Sequence, residues 1–333
     1  MDKMKRLVTL IMALALVITF VFTGCKDKKA EPVDMNIAVM TGPTAIGMVK
    51  LMSDAEANEA ANTYNFSVYG TADEINSKLL KGELDIACVP CNVASVLYNK
   101  SEGEIITAAI NTLGVLYIVE TGDTVKTIED LKGKTIYSTG KGTTPEYTLR
   151  YLLTSAGIDP DKDVTIEYKS EAAEVASLLS TASADTTKNA VAMLPQPYVT
   201  AAMNQNASLR IALSVADEWD KVNKDSQVVT GVLVARKSFV EANEEAFKVF
   251  LEEYEKSVAY VNDNVEATAD LLEHFNIFKA AIAKKAIPFC NVTYIDGTDM
   301  ETKVLNYLQV LYDQNPAAVG GKMPNGAMFY FGK

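Results

Sequence analysis

The 333-residue sequence predicts an α/β protein of two domains, with largely parallel strands and covering helices. Short β-rich runs alternate with segments of helical periodicity from residue 35 onward. The polar, turn-forming segment 127–134 interrupts this alternation, which then restarts. Hydrophobic residues make up 48% of the chain, which excludes a disordered protein.

The first part of the chain contains five predicted strands, with helices between most of them. The strands span residues 35–40, 66–69, 84–89, 105–110 and 115–120. The helix after the second strand begins with a predicted capping box, in which Thr71 and Glu74 bond free backbone amides. Ile75 and Leu79 belong to its buried stripe, and Gly82 ends it.

The second part repeats the pattern and then changes to helices. Strands are predicted at 135–138, 164–168, 190–194 and 209–213, and helices at 145–156 and 171–181. A further strand, 228–235, leads into helices with one-sided apolar faces around 247–258 and 300–312. We expect these helices to pack on the first domain, because the second already has its covering helices.

The predicted organisation has four parts. It comprises a signal peptide (1–24), a tether (25–34), lobe 1 (35–126 plus 230–333) and lobe 2 (127–229). The chain would then cross between the lobes near residues 120–126 and 225–231.

The N-terminus has the pattern of an export signal. Lys3, Lys5 and Arg6 precede the apolar run 7–22, which is shorter than the roughly 20 residues needed to span a bilayer. Cys25 follows Thr-Gly, a sequence that resembles a bacterial lipoprotein processing site. We expect Cys25 to be lipidated and the protein to be held at the outer face of the cell membrane. The alternative is an uncleaved membrane anchor.

Charge and composition exclude several classes of function. With 43 acidic against 31 basic residues and a net charge of −12, general binding of nucleic acid is disfavoured. One histidine and four cysteines leave little for histidine-driven catalysis, metal sites or a disulfide scaffold. We therefore expect no cofactor and no metal. We also expect a monomer.

Five loops at the carboxyl ends of predicted strands are the candidate ligand-binding site, because ligands bind at that edge of open α/β sheets. The residues in these loops are Gly42, Pro43, Thr44, Tyr69, Gly70, Thr71, Pro90, Cys91, Asn92, Gly140, Gly142, Thr143, Thr144, Gln196 and Tyr198. The loop 139–144 is suited to an oxyanion, since its glycines allow close backbone approach and its threonines donate hydrogen bonds. It lacks the spacing of a nucleotide P-loop, and an ordinary strand-to-helix turn is the alternative.

Cysteine, histidine and tryptophan are the other residue types that could carry a function. Cys88 and Cys91 have the spacing of a redox pair, but alternation places Cys88 in a buried strand and Cys91 in the crevice lining. His274 is interpreted as a structural or surface residue near a helix end. Trp219, the single tryptophan, is expected to pack at an edge rather than bind ligand.

Several motifs together resemble one family. They are the lipoprotein leader, the Gly-Pro-Thr loop, LDIACVP at 84–90, KTIEDLKGKT at 126–135 and PQPY at 195–198. With these motifs the chain resembles solute-binding proteins of ABC transporters in the nitrate/sulfonate/taurine and thiamine-precursor group. The resemblance implies a type II periplasmic-binding fold, with two lobes joined by a two-crossing hinge. It also implies that the five loops contact the ligand.

The resemblance implies that the lobes close on a small polar or heteroaromatic ligand and deliver it to an ABC transporter permease. Many relatives have an acidic residue where this chain has Gln196, so a cationic ligand is not favoured. The choice between an anion and a planar heterocycle stays open. One alternative is an enzyme on the same fold, acting on a pyrimidine precursor or a chorismate-like acid. Another is a lipoprotein that senses a solute.

Overall fold

Two β-sheets organise the part of the chain that the structure describes. The computed structural model describes residues 32–182 and 189–332, so the predicted signal peptide and Cys25 lie outside the described residues. The strands are β1 (Asp34–Met40), β2 (Thr63–Tyr69), β3 (Ile86–Pro90), β4 (Ile105–Thr112), β5 (Leu116–Thr121), β6 (Thr135–Ser138), β7 (Thr165–Tyr168), β8 (Val191–Pro195), β9 (Leu209–Ser214), β10 (Gly231–Arg236) and β11 (Val292–Ile295). The six-stranded sheet has the order β11-β4-β10-β3-β1-β2, and the five-stranded sheet β7-β6-β8-β5-β9.

Strand direction divides each sheet into two parts. The pairs β1–β2, β1–β3, β6–β7 and β6–β8 are parallel, as predicted for strands connected through helices. The remaining pairs, which involve β4, β5, β9, β10 and β11, are antiparallel to their neighbours. The expectation of largely parallel strands is therefore correct for β1, β2 and β3 and for β6, β7 and β8, and wrong for the other strands.

The strand predicted at 115–120, which the sequence places in lobe 1, lies in the five-stranded sheet instead of the six-stranded one. β5 pairs with β8 and β9 of the five-stranded sheet. The chain thus passes between the sheets at residues 113–115, earlier than the predicted 120–126, and returns at 223–230. Hydropathy cannot distinguish the two positions, because a buried strand has the same sequence pattern in either sheet.

Thirteen α-helices are described, and most of them cover the faces of the two sheets. They are α1 (Pro43–Ile46), α2 (Val49–Glu56), α3 (Ala72–Lys81), α4 (Cys91–Lys100), α5 (Thr144–Ser155), α6 (Ala172–Ser180), α7 (Tyr198–Gln205), α8 (Val215–Val222), α9 (Lys237–Ala242), α10 (Glu244–Asp263), α11 (Val265–His274), α12 (Ala280–Ala286) and α13 (Gly297–Gln314). Within the described ranges, no helix is both long and apolar enough to span a membrane.

Helix α3 shows one correct and one incorrect prediction about helix ends. Gly82 ends it in the left-handed conformation, with φ of 75°. The predicted capping box is wrong, because the Thr71 side chain makes no capping hydrogen bond. A capping box instead occurs at the 3-10 helix Ile128–Leu131, through Thr127 and Asp130. That helix lies in the segment predicted to be turn-forming.

The hydrophobic core is continuous between the two sheets on one side of the molecule. Ala38 of β1, Ile136 of β6 and Leu149 of α5 belong to one cluster of buried residues, together with Trp219 and Tyr307. The expectation that Trp219 packs at an edge is wrong, since this residue is fully buried. Continuous packing of this kind fixes how α5 and α13 lie against each other.

Candidate ligand-binding site

A cavity of about 390 Å³ lies where the carboxyl ends of strands from both sheets meet. Each of the six parallel strands contributes a residue from its end or from the loop that follows. These residues are Thr41, Gly70, Pro90, Thr139, Ser170 and Pro195. The cavity therefore lies at the edge where ligands bind in open α/β sheets.

The structure brings part of the predicted set of residues into this cavity. The residues that line it are Pro43, Thr44, Gly70, Thr71, Pro90, Gly140, Thr143 and Tyr198. The lining does not include Gly42, Tyr69, Cys91, Asn92, Gly142, Thr144 or Gln196. Each predicted loop thus contributes at least one residue to the lining, but neighbouring residues within a loop point in different directions.

Gln196 illustrates the effect of side-chain alternation at a strand end. Pro195 lines the cavity, whereas Gln196 lines a separate depression beside Phe289. Its Oε1 accepts hydrogen bonds from the backbone N (3.2 Å) and the hydroxyl (2.8 Å) of Thr200. Successive residues of a strand face opposite sides, so Gln196 stabilises the start of α7 rather than facing the cavity.

Cys88 and Cys91 show no feature of a reactive site. Cys91 is fully buried, contrary to the expectation that it lines the crevice, and burial raises the pKa of its thiol. Cys88 is also fully buried, as predicted, and burial raises its pKa to about 12. Among residues 32–182 and 189–332, no group of histidine, cysteine and acidic side chains could hold a metal ion. These thiols therefore act as small core residues.

One loop of the cavity was absent from the predicted set. Lys169, Ser170 and Glu171 follow β7 and line the cavity, together with Lys141 and Asp73. β7 is parallel to β6. The rule that selected the other five loops therefore also applies to this one. The charged side chains of the cavity thus include both lysines and carboxylates.

The Glu171 carboxylate lies close to Gly70 and to Tyr198 at the cavity. A Cβ atom on Gly70 would lie only 2.6 Å from Oε1 of Glu171, so the absence of a side chain permits this approach. Tyr198 lies beside the same carboxylate: burial, and next the negative charge of Glu171, raise the pKa of Tyr198 to about 12. Tyr198 is therefore a neutral hydroxyl group at ordinary pH.

Four helices begin at the cavity. Their N-cap residues are Thr71 for α3, Pro90 for α4, Thr143 for α5 and Glu171 for α6, and all four line the cavity. None of these N-cap residues makes a side-chain capping hydrogen bond. The first amides of a helix carry a partial positive charge and need acceptors. The arrangement is suited to a negatively charged group.

Comparison with protein families identifies the kind of protein that has this architecture. A family model described as "ABC transporter, phosphonate, periplasmic substrate-binding protein" matches residues 58–284. This match covers more than half of the chain. A comparison with curated proteins gives no match.

Solved structures with this fold come from several organisms. An ABC transporter structure from Parabacteroides distasonis is 24% identical, with a TM-score of 0.71, covering 89% of this chain and 98% of that one. The periplasmic aliphatic sulphonate-binding protein SsuA from Escherichia coli is 14% identical, with a TM-score of 0.70 and coverage of 90% and 92%. The periplasmic nitrate-binding protein NrtA from Synechocystis is 14% identical, with a TM-score of 0.56 and coverage of 73% and 66%. At these identities the likeness shows the fold.

Proposed function

The chain belongs to the family of periplasmic substrate-binding proteins of phosphonate ABC transporters, and we propose that its cavity binds a small ligand through an oxyanion group. Members of this family bind small molecules outside the cytoplasm and deliver them to a permease; they are not enzymes.

The convergence of four helix N-termini is the observation that carries this proposal. α3, α4, α5 and α6 all begin at the cavity, and their N-cap side chains do not occupy the first amides. An oxyanion with several acceptor oxygens can receive hydrogen bonds from more than one helix at once. Phosphonate and sulphonate, which appear in the names of the family and of one structural neighbour, are tetrahedral groups of this kind.

The charged side chains in the lining restrict the rest of the ligand. Lys141 and Lys169 favour the anionic group, while Asp73 and Glu171 repel a second negative charge. A ligand with one oxyanion and a neutral or cationic remainder matches this mixture best. We propose that the ligand contacts the predicted residues that line the cavity, together with Lys169 and Ser170. The predicted residues are Pro43, Thr44, Gly70, Thr71, Pro90, Gly140, Thr143 and Tyr198.

Calorimetric titration of refolded, ligand-free protein tests the proposal. We expect saturable binding of methylphosphonate or methanesulfonate and none of a neutral aminopyrimidine. Lys169→Met should weaken binding by about two- to fivefold, as expected for one partly exposed charge. Lys162→Met is the matched control, since Lys162 pairs with Asp159 and does not line the cavity. Binding of the aminopyrimidine alone would instead indicate a heterocycle.

We propose that the two sheets mark two lobes that close on the ligand. One lobe would contain residues 34–112 with 231–332, and the other 116–222, with crossings at 113–115 and 223–230. Ligand contacts from both lobes are complete only in the closed form. Small-angle scattering in the same titration should show a more compact particle at saturation. A scattering profile that is unchanged at saturation would contradict closure of the two lobes.

We also propose that Cys25 carries a lipid that holds the mature protein to the membrane. The leader, the Thr-Gly-Cys sequence and the polar segment 26–32 support this proposal. In cells, Cys25→Ser should leave the signal uncut or release the protein. Fractionation and intact mass would detect either result. Equal membrane retention with the same processed mass would contradict lipidation.

A further inference from the structure

The side chain of Asn92 joins three separate segments of the chain. Asn92 is the second residue of α4 and is fully buried. Its Nδ2 donates to the carbonyl oxygens of Gly142 (3.2 Å) and Ala318 (3.0 Å), and its Oδ1 accepts from the hydroxyl of Thr144 (3.3 Å). Both amide hydrogens are used within the protein, so neither is left for a ligand.

These bonds connect the two sheets at the edge of the cavity. α4 follows β3 of the six-stranded sheet, whereas Gly142 and Thr144 follow β6 of the five-stranded sheet. Gly140 and Thr143, in the same short segment, line the cavity. Asn92 therefore holds one wall of the cavity from the opposite sheet without lining it.

The segment 140–144 contains two glycines, so its backbone can adopt several conformations. It therefore depends on hydrogen bonds from neighbouring residues to hold one of them. Gly140 and Gly142 have φ of 72° and 77°, in the region that glycine adopts without strain. On the side of the five-stranded sheet, Glu146 of α5 holds the segment: its Oε2 accepts a hydrogen bond from the backbone N of Gly142 at 2.7 Å. The Asn92 amide supplies the contact from the other side.

The same face of α4 provides a matched control. Asn92, Ser95 and Asn99 are spaced i, i+3 and i+7, so they lie on one side of the helix. Ser95 donates to the carbonyl of Val319 (2.8 Å), and Asn99 to those of Val319 and Lys322 (2.8 Å each). All three thus bind the C-terminal segment that includes the 3-10 helix Pro316–Val319. Asn92 also bonds to the 140–144 segment, whereas the hydrogen bonds given above for Ser95 and Asn99 go to the C-terminal segment.

We propose that Asn92 is a positioning residue that sets the placement of the 140–144 segment and, through it, ligand affinity. The part that concerns affinity rests on the proposed function. Without the Asn92 amide, the Gly142 carbonyl and the Thr144 hydroxyl lose a buried partner. The segment then occupies other arrangements, and apparent affinity falls in proportion to the fraction that remains competent to bind.

Hydrogen–deuterium exchange of the ligand-free protein tests the structural part. Cys91 and Val93, beside Asn92, belong to the core that the two sheets share, so we expect these bonds to persist when the lobes are open. In Asn92→Ala, the amides of residues 140–147 should exchange about tenfold faster or more, because a buried hydrogen-bond partner is lost. In Asn99→Ala they should exchange as in the wild type, while the segment 316–322 exchanges faster in both variants. Thr144→Val removes only the loop-side hydroxyl and should give a smaller increase at 140–147. It serves as the second variant if Asn92→Ala does not fold.

Titration with methylphosphonate tests the effect on affinity. Asn92→Ala should bind about tenfold more weakly, and Asn99→Ala should bind like the wild type. Equal exchange of residues 140–147 in the two variants would overturn the proposal, and so would faster exchange with unchanged affinity. If the wild type binds no oxyanion probe, the proposed function fails, while the exchange experiment still decides the role of Asn92.

Discussion

Replacing Trp219 with alanine should lower the free energy of unfolding by about 3–5 kcal/mol, the range for removing a large buried aromatic side chain. The indole ring is fully buried, with ring centroids 4.5 Å from Tyr151 and 5.3 Å from Tyr307. Its Nε1 donates to the backbone carbonyl and hydroxyl of Ser226, both at 3.1 Å. The substitution would leave a cavity between α5, α8 and α13.

Urea unfolding followed by far-UV circular dichroism measures this effect, since the variant lacks the single tryptophan of the chain. Trp219→Phe is the matched variant, because it retains an aromatic ring but loses the donor to Ser226. We expect its loss of stability to be clearly smaller. A loss below about 1 kcal/mol for the alanine variant would contradict the packing described here.

Replacing Arg210 with alanine should have the next largest effect, about 3 kcal/mol at neutral pH. Arg210 pairs across the strands with Glu120, whose side chain is 0% exposed. The guanidinium also donates to the carbonyl oxygens of Gly122 (2.9 Å) and Val125 (2.6 Å). Because the arginine itself is 31% exposed, the effect lies at the low end of the range for buried ion pairs.

The effect of Arg210→Ala should depend on pH mainly through Glu120, because the second partner, Asp123 at 3.1 Å from Arg210 Nε, is exposed. Burial alone would raise the pKa of Glu120, but hydrogen bonds from Val125, Thr124 and Arg210, together with the Arg210 charge, lower it below the ordinary value. The stabilisation is complete above the unfolded pKa of about 4.3 and is lost as pH falls through the lower folded pKa. The difference in stability between wild type and variant should therefore shrink below about pH 4.3.

Denaturant unfolding at neutral and acid pH measures this difference. Lys126→Ala is the control, because Lys126 and Asp123 form an exposed pair in the same turn and should contribute little. A difference between wild type and Arg210→Ala that stays constant down to pH 3 would exclude Glu120 as the partner that matters.

Local sequence patterns predicted much of the fold. The strand 135–138 agrees with β6 at both ends, and Gly82 ends α3 as predicted. β11 was missed because the chain after residue 235 is interpreted from its sequence as helical. The capping box at Thr71 failed, since matching residue types do not determine which bonds the side chains make.

The lining of the cavity was predictable as a set of loops but not as a set of residues. The rule of strand carboxyl ends selected loops that do meet at the cavity, and it applies equally to 169–171, which was missed. Asn92 and Gln196 have the residue types of ligand contacts. Their hydrogen bonds to Gly142 and Thr200, however, depend on how the strands and helices are oriented.

The sequence by itself determined the α/β class, the positions of most strands and helices, and the family resemblance, because these depend on local periodicity and short motifs. Tertiary structure alone decided that β5 belongs to the second sheet, that Trp219 lies in the core, and that Asn92 joins the two sheets. These features depend on contacts between residues far apart in the chain. A buried strand or a polar side chain has the same local pattern whichever partner it meets.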